Sequence, residues 1–350
     1  MCAHGAKSGI IVGRSSDCPL CEVLLVKALR FVNGKLQLAE IPRPSPAEEA
    51  VIRVTYAGIC ATDAAIVRGY TGFSGTLGHE FVGVVAAAPD AAWIGRRVVG
   101  DINIACGTCE TCQSGNRHHC EQRTVIGIRR RDGAFAEYLA LPLPNLYAVP
   151  DAVSDLDAVF AEPLAAACRI LDQVSCRPGQ SVAVLGDGKL GQLIAQVLQA
   201  HGLAVTLIGR HARKLAVAAG AGIATRHADE LRSATRQFEI VVEASGRATG
   251  LADALRLVRP RGTVVLKSTS ATPWMLPPAA VVVPEVTLVG SRCGDMPKAL
   301  ALLAARKVNP QMLIEAVYDL DDGLRAFEHA TTPGVLKVLL RCSLPEGTPY

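Results

Sequence analysis

The chain has 350 residues, of which half are hydrophobic and 19% are charged, and its formal net charge is +4. This composition predicts about two domains with a sizeable core and excludes a disordered chain. No apolar stretch reaches the ~18 residues that a membrane span requires, and an aromatic content of 4% argues against a surface for base stacking. We therefore expect neither a membrane nor a nucleic acid as a partner.

The first residues mix glycine, serine and cysteine without a period, and we treat 1–25 as an N-terminal extension. They lack the pattern of a secretory signal peptide. With 12 cysteines in the chain, this predicts reduced thiols and a cytoplasmic location. Cys18 and Cys21 form a C-x2-C pair without a βαβ context, so two unrelated thiols are preferred over a redox pair. A translation start placed too far upstream would also account for this segment.

Short strands and turns are predicted from residue 26 to about 155. The alternating segment Val26–Phe31 is followed by Asn33-Gly34, a hairpin turn. The segments AVIRVTYAG and FVGVVAAAP are rich in β-branched residues and are bounded by glycine or proline. Prolines in LALPLPNLYAVPD exclude a helix there. These patterns predict a β-rich first domain.

Four cysteines lie within fifteen residues of this domain, with the spacing C-x2-C-x2-C-x7-C: Cys106, Cys109, Cys112 and Cys120. Zinc binds four thiolates tetrahedrally, with Zn–S distances near ~2.3 Å. A bacterial ferredoxin run has its fourth cysteine closer and a proline after it, whereas Glu121 follows here. Because four thiolates leave no open coordination position, the spacing predicts a structural zinc site.

Strands alternate with helices after about residue 156. The Ala/Leu-rich segment 157–174 predicts a helix, and apolar strands are predicted at 181–185, 205–208, 238–242 and 263–266. This alternation is typical of βαβ units on a parallel sheet, here over 156–292. A further helix is predicted over 297–307 and a closing strand over 335–340.

A glycine-rich turn, GDGKLG at 186–191, connects a predicted strand to a predicted helix. In this context Gly186 makes the tight turn, Gly188 lets the backbone approach a pyrophosphate, and Gly191 lets the helix pack on the strand. The helix N-terminus then offers N–H groups and partial positive charge to the phosphates. The motif predicts a dinucleotide-binding Rossmann domain.

The end of the next strand indicates which dinucleotide is bound. NAD sites usually place Asp or Glu there, to bind the ribose 2′-hydroxyl, but this chain has Gly209 followed by Arg210. A guanidinium binds a phosphate through two hydrogen bonds, and His211, Arg213 and Lys214 lie close by. We therefore expect NADP(H) to be preferred, with NAD(H) possible. The alternative is that these basic residues form the solvated start of a helix.

A second metal site can be assembled from Cys60 in AGICATD, His79 and Glu80 in TLGHEFVG, and Glu162 in FAEPLAAA. A catalytic zinc requires three protein ligands and one open position. Each residue also has an ordinary interpretation: a buried thiol, a core histidine or a solvated carboxylate. Spacing alone therefore does not establish this site.

The chain from about 26 to 342 resembles the zinc-dependent medium-chain dehydrogenase/reductase family, the alcohol dehydrogenases, and within it the polyol (sorbitol) and threonine dehydrogenase branch. The matching segments occur in the family's order and spacing: GICATD at 58–63, GHEFVG at 78–83, CGTCETCQSGNRHHC at 106–120, AEPL at 161–164, GDGKLG at 186–191 and VEASG at 242–246.

The resemblance implies an α/β protein in which a GroES-like β-rich catalytic domain, 26–155 completed by 293–350, carries an inserted Rossmann domain. It also implies a homodimer or homotetramer. Cys60 and His79 would ligate the catalytic zinc, with Glu80 or Glu162 as the third ligand. Thr62 would take the substrate proton.

The glycine motif and the resemblance together imply a set of cofactor-binding residues, in which the backbone of Ser291 and Arg292 meets the nicotinamide carboxamide and Lys337 lies near the pyrophosphate. The full set is Gly186, Gly188, Lys189, Leu190, Gly209, Arg210, Lys214, Ser245, Ser291, Arg292 and Lys337. One position departs from many relatives: Ala65 stands where a histidine passes the proton to solvent. The proton would then leave through Thr62 and the cofactor ribose, or through water.

The expected function is hydride transfer between a nicotinamide cofactor and a small-molecule secondary alcohol, polyol or sugar, or the matching carbonyl, with one catalytic and one structural zinc per chain. A metal-free quinone or enoyl reductase on the same fold is an alternative. A non-catalytic cofactor-binding protein is another, because a fold does not by itself imply a function.

Overall fold

The computed structural model describes residues 24–231, 233–269 and 273–343. The expectations for the N-terminal extension, including its Cys18–Cys21 pair, fall outside these residues except at Leu24 and Leu25. Among the described residues, no helix combines the length and the apolar character needed to cross a bilayer.

The N-terminal part is built from short strands, as the turn-rich sequence predicts. Asn33 and Gly34 both adopt positive φ angles, which is the geometry of the predicted hairpin turn between the first two strands. The strands are β1 (Leu25–Val32), β2 (Lys35–Pro42), β3 (Ala50–Gly58), β4 (Gly75–Thr76), β5 (Glu80–Ala87), β6 (Arg97–Gly100), β7 (Asn103–Ile104), β8 (Thr124–Ile126), β9 (Arg130–Arg131), β10 (Tyr138–Leu141) and β11 (Leu146–Ala148).

The second part alternates strands and helices. Its strands are β12 (Ser181–Leu185), β13 (Ala204–Gly209), β14 (Ala224–His227), β15 (Phe238–Glu243), β16 (Val258–Leu266) and β17 (Thr287–Gly290). All neighbouring pairs are parallel, in the order β14-β13-β12-β15-β16-β17. The first strand of this part, β12, lies inside the sheet. The next two strands are added on one side of it and the following three on the other side. This strand order is that of the dinucleotide-binding Rossmann fold.

The last two strands, β18 (Ile314–Asp319) and β19 (Lys337–Arg341), return to the N-terminal part. There β19 pairs antiparallel with β3, bringing Leu339 opposite Gly58, and the extended sheet runs β11-β6-β5-β3-β19-β18 with β10 also on β3. Smaller sheets are formed by β2-β1-β4 and by β7-β8-β9.

The α-helices of the described residues are α1 (Ala61–Val67), α2 (Glu110–Gln113), α3 (Asp155–Ala158), α4 (Ala161–Gln173), α5 (Lys189–Ala200), α6 (Ala212–Gly220), α7 (Gly250–Leu257), α8 (Ala279–Val282), α9 (Met296–Ala304) and α10 (Gly323–Thr331). Single 3-10 turns cover Ala91–Trp93, Arg117–His119, Leu143–Asn145, Ala228–Leu231, Pro310–Leu313 and Leu320–Asp322.

The helix predicted over 157–174 is two helices in the structure, α3 and α4. Pro163 explains the division, because proline lacks a backbone N–H and fits only in the first turn of a helix. The chain therefore restarts at Ala161, with the fully buried Phe160 at the junction. This junction matters for the site, because Glu162 lies in the first turn of α4.

Candidate functional site

The four cysteines of the C-x2-C-x2-C-x7-C segment converge on one point. Their Sγ atoms lie 3.5 Å (Cys109–Cys112), 3.6 Å (Cys106–Cys120), 3.8 Å (Cys109–Cys120) and 3.9 Å (Cys106–Cys112) apart. A regular tetrahedron with Zn–S bonds near ~2.3 Å has edges of ~3.8 Å. The thiol spacing therefore fits a bound zinc ion, and Cys109 is also the N-cap of α2.

A second group of possible metal ligands is formed by Cys60, His79 and Glu80, whose ligand atoms all lie within 4.8 Å of one another. Strand pairing brings them together: β3 and β5 are antiparallel, with Gly58 opposite Glu80. Cys60 follows β3 as the N-cap of α1, and His79 directly precedes β5. The thiol, imidazole and carboxylate match the donor set of a catalytic zinc site.

Asp63 supports this group, and the sequence reasoning missed its role although it ends the motif GICATD. Its side chain is fully buried in the first turn of α1. It accepts hydrogen bonds from the backbone N–H of Cys60 at 2.8 Å and of Gly78 at 3.2 Å. Its Oδ1 atom also lies 3.4 Å from Nδ1 of His79. A carboxylate behind a ligating histidine orients the ring and leaves Nε2 for a metal.

Glu80, a member of this group of possible ligands, also forms a buried ion pair with Lys337. The side chains are 2% and 1% exposed. Burial alone would lower the pKa of Lys337, but the charges of Glu80, Cys60 and Asp63 and the hydrogen bond to Glu80 together outweigh burial and raise it. The residue expected near the pyrophosphate thus lies directly beside the candidate metal site.

Glu162 lies apart from the group of three, at the start of α4. Burial raises the pKa of its carboxyl to about 7; the charge of His79 opposes this rise and that of Glu80 adds to it. These electrostatic contributions place Glu162 near the same site. The choice between Glu80 and Glu162 as the third ligand stays open, as it was in the sequence.

Thr62 lies on the same turn, with its hydroxyl oxygen 3.7 Å from Sγ of Cys60. Its side chain is half-buried. This position is compatible with the expected contact between Thr62 and a substrate oxygen.

The glycine-rich turn has the shape that a pyrophosphate requires. Gly186 adopts a φ of +118° at the end of β12, and a Cβ on Gly191 would overlap the carbonyl oxygen of Gly186. Gly188 is the N-cap of α5, has no side-chain cap, and would leave open space around a Cβ. The first N–H groups of α5 are therefore available to phosphate oxygens.

Lys189, the first residue of α5, connects this turn to the candidate metal site. Its ammonium donates to the carbonyl oxygen of Ile59 at 3.1 Å, and Ile59 directly precedes Cys60. Burial lowers the pKa of Lys189, and the nearby charge of Lys337 lowers it further. The dinucleotide-binding helix thus begins against the loop that carries Cys60.

The other predicted cofactor residues lie along the same edge of the Rossmann sheet. Ser245 follows β15 and donates its hydroxyl to Glu243 at 2.5 Å, and Ser291 and Arg292 follow β17. Leu190 is partly buried in the first turn of α5, whereas Lys214 is almost completely buried in α6. Gly209 ends β13, where its neighbour is Asp187 rather than open space.

Lys267 is another residue that the sequence reasoning missed. The one signal that could have drawn attention to it is its charge, directly after the apolar strand segment TVVL. Its buried ammonium donates to the carbonyl oxygens of Ala166 at 2.7 Å and Arg292 at 2.9 Å. Burial lowers its pKa to about 8. It lies in a cleft of ≈ 750 Å³ that also reaches Ser291 and Trp274.

Comparison with known proteins agrees with these features. Residues 46–151 match the family described as Alcohol dehydrogenase GroES-like domain, and residues 190–305 match the family described as Zinc-binding dehydrogenase. Sorbitol dehydrogenase from Halalkalibacterium halodurans is 30% identical over 330 residues, which cover 88% of this chain and 96% of the relative.

Solved structures extend the likeness to the whole fold. An alcohol dehydrogenase from E. coli CFT073, complexed with NADH, is 26% identical with a TM-score of 0.85, and the match covers 91% of this chain and 99% of that one. A protein from Sinorhizobium meliloti 1021 bound to NADP is 28% identical with a TM-score of 0.84, at 91% and 99% coverage. Both the expected GroES-like domain and the expected Rossmann domain are confirmed. The chain therefore belongs to the zinc-dependent medium-chain dehydrogenase/reductase family of alcohol and polyol dehydrogenases, and it is an NAD(P)-dependent oxidoreductase.

Proposed function

We propose that the chain transfers hydride between a nicotinamide dinucleotide and a secondary alcohol, polyol or sugar at a zinc site formed by Cys60, His79 and a glutamate. The observation that carries this proposal is the contact between Lys189 and Ile59. It holds the N-terminus of the dinucleotide-binding helix against the loop of Cys60. A nicotinamide bound along this edge would therefore lie next to the metal ligands.

Zinc bound there would supply Lewis acidity to a substrate oxygen, and the nicotinamide would supply or accept the hydride. The chain itself orients these groups. Asp63 fixes the loop of Cys60 through its backbone N–H and lies 3.4 Å from Nδ1 of His79, and Lys337 neutralises Glu80 inside the protein. Preorganised geometry of this kind contributes much of the rate acceleration in two-substrate reactions.

Thr62 is the proposed acceptor of the substrate proton, because its hydroxyl lies beside Cys60. Ala65 offers no titratable group, so the proton would continue through the cofactor ribose or through water. The polyol class is supported by the sorbitol dehydrogenase relative.

We also propose two zinc ions per chain, one at each cysteine-containing site, and domain boundaries at 26–155 with 293–350 and at 156–292. No cysteine in the described part of the chain forms a disulfide, which is compatible with the proposed reducing, cytoplasmic location. The preference for NADP(H) stays a prediction from Gly209 and Arg210, and the contacts of Asp187 weigh against it.

A homodimer or homotetramer is proposed, with a contact between chains through β17, the edge strand of the Rossmann sheet. An edge strand presents unpaired backbone groups to a second strand. Leu288 on β17 is 40% exposed, and Val282 and Val283 on the preceding segment are 70% and 76% exposed. Light scattering should show a dimer or tetramer that Leu288→Lys weakens; a monomeric wild-type chain would contradict this assignment.

The test combines metal analysis with a substrate panel. Wild-type protein should contain two zinc ions per chain and should oxidise at least one member of a panel of polyols, sugars and secondary alcohols, followed by cofactor absorbance. Cys60→Ser should lose one zinc and turnover but still bind the cofactor. Cys176→Ser is the matched control, because Cys176 lies outside both ligand groups. Full turnover by zinc-free Cys60→Ser would favour the metal-free reductase instead, and cofactor binding without any turnover would favour a non-catalytic protein.

A further inference from the structure

The ribose end of the dinucleotide site contains a carboxylate that does not come from the usual strand. In NAD sites the acidic residue ends the second strand of the sheet, a position that Gly209 takes here. The space is filled instead by Asp187, from within the glycine-rich turn. A Cβ at Gly209 would overlap the Asp187 carboxylate, and its three nearest atoms all belong to Asp187.

Asp187 is fixed by hydrogen bonds. Its Oδ2 accepts from the backbone N–H of Arg210 at 2.7 Å and of His211 at 2.8 Å. Both carboxylate oxygens lie 3.0 Å from Nδ1 of His211. Burial alone would raise the pKa of Asp187, but these hydrogen bonds outweigh burial and lower it. The side chain is therefore a carboxylate at neutral pH, and among the described residues no backbone N–H donates to its Oδ1.

We propose that Asp187 selects NAD(H) over NADP(H), by offering its carboxylate to the adenosine ribose hydroxyls and by occupying the backbone donors that a 2′-phosphate would need. The inference rests on the dinucleotide site of the proposed function. In other NAD sites the carboxylate that binds the ribose stands at the end of the second strand. Here a residue of the glycine-rich turn would supply that carboxylate.

The exclusion of a 2′-phosphate follows from charge and from hydrogen-bond supply. A phosphate monoester carries about −1.5 to −2 charges at neutral pH, and a neighbouring carboxylate repels it. His211 is the N-cap of α6, so the N–H groups of Arg210 and His211 lie where a helix start would otherwise receive an anion. Asp187 already accepts from both.

The basic residues that suggested NADP(H) are mostly engaged elsewhere. The ring of His211 faces Asp187. Arg213 donates to Glu315 at 2.7 Å and to the carbonyl oxygen of Gly334 at 2.8 Å, both in the catalytic domain. Lys214 is only 9% exposed. The side chain of Arg210 is exposed and could still reach a 2′-phosphate. The carboxylate of Asp187 would repel that phosphate.

The test is equilibrium binding of NADH and NADPH to the zinc-loaded full chain, by titration calorimetry or nicotinamide fluorescence, so that turnover is not needed. We expect the wild type to bind NADH at least about tenfold more tightly than NADPH, and Asp187→Gly to reduce this ratio about tenfold or more. The double variant Asp187→Gly with Gly209→Asp moves the carboxylate to the end of β13 and should restore NADH preference. That recovery separates selectivity from a folding defect. Asp253→Asn, in α7, is the matched control.

Wild-type preference for NADPH, or an unchanged ratio in folded Asp187→Gly, would overturn the inference and leave the proposed function standing. If the protein prefers NADH as expected but oxidises no member of the substrate panel, the proposed function is overturned and the inference about Asp187 stands. Binding of neither coenzyme would overturn both.

Discussion

The carboxylate of Glu80 and the ammonium of Lys337 form an ion pair inside the protein, although 257 residues separate them in the chain. Pairing of β3 with β5 on one side and with β19 on the other brings the two side chains together. Gly58 makes room for them, because a Cβ there would overlap the Glu80 carboxylate. The closing strand is thus part of the candidate metal site.

Replacing Lys337 with methionine should destabilise the protein strongly. Removing one partner of a buried ion pair leaves an uncompensated charge and costs about 3–5 kcal/mol. Urea denaturation of protein whose Cys60 site has been emptied by a chelator measures the change, because a zinc ion there would itself compensate the charge of Glu80. Arg341→Met is the control on the same strand, because the exposed pair of Arg341 with Asp319 should contribute about 1 kcal/mol or less. Equal effects of the two substitutions would contradict the buried pairing.

Asp63→Asn should weaken zinc binding at the Cys60 site about 10- to 100-fold, because the carboxylate that orients His79 and the Cys60 loop is lost. Zinc transfer to a competing chelator measures the affinity. The structural site should keep its zinc, which provides an internal reference, and Asp321→Asn on the surface should change nothing. An unchanged chelator titration would show that Asp63 has no positioning role.

Cys109→Ser should remove the structural zinc while the Cys60 site keeps its own ion. Elemental analysis should fall from two zinc ions per chain to one, and the melting temperature should fall with it, because a structural zinc contributes directly to folding. Dinucleotide binding should persist, since the N-terminus of the dinucleotide-binding helix α5 rests on the Cys60 loop through Lys189 and Ile59. A variant that retains both ions would refute the four-thiolate assignment.

Gly191→Ala should disrupt the dinucleotide site, because the added Cβ would overlap the carbonyl oxygen of Gly186. We expect a loss of roughly 1–3 kcal/mol of stability and a large loss of NADH affinity in a fluorescence titration. Gly220→Ala in α6 is the matched control. Within the described part of the chain, no atom beyond the adjacent helix backbone lies within 4 Å of its new Cβ, so the control should be neutral or stabilised by about 0.4–1 kcal/mol. Similar NADH affinities for both variants would contradict the close approach.

Lys267 should make stability depend on pH in the alkaline range. Its pKa in the folded protein is lowered by burial to about 8, against an ordinary value of 10.5. Between these values the unfolded chain binds a proton that the folded chain does not, so stability should rise with pH across this window. Relative to Lys267→Met, the wild type should gain up to about 3 kcal/mol between pH 8 and 10.5.

Chemical denaturation at several pH values checks this difference. Lys35→Met removes a lysine on the exposed face of β2 and should show the same pH trend as the wild type. A flat difference between wild type and Lys267→Met would mean that Lys267 titrates as in the unfolded chain.

Most of the fold and the metal-binding lobe could be predicted from the sequence because their determinants are local. The spacing of Cys106, Cys109, Cys112 and Cys120 already limits how they can surround an ion, and the structure places their sulfurs at the corners of an approximate tetrahedron. Alternating apolar strands and helices likewise predicted the parallel sheet. The one clear error in an element, the single helix over 157–174, came from reading composition without giving weight to Pro163.

Contacts between distant segments decided the rest. The sequence alone determined that this chain has four closely spaced cysteines and a glycine-rich turn between a strand and a helix, and it supplied candidate ligands for a second metal site. Only the tertiary structure paired Lys337 with Glu80, brought the ammonium of Lys267 to the carbonyl oxygen of Arg292, and placed Asp187 in the space beside Gly209. Burial is the physical reason: a charged side chain removed from water must find its partner wherever the packed strands bring one, and no local pattern specifies which partner that is.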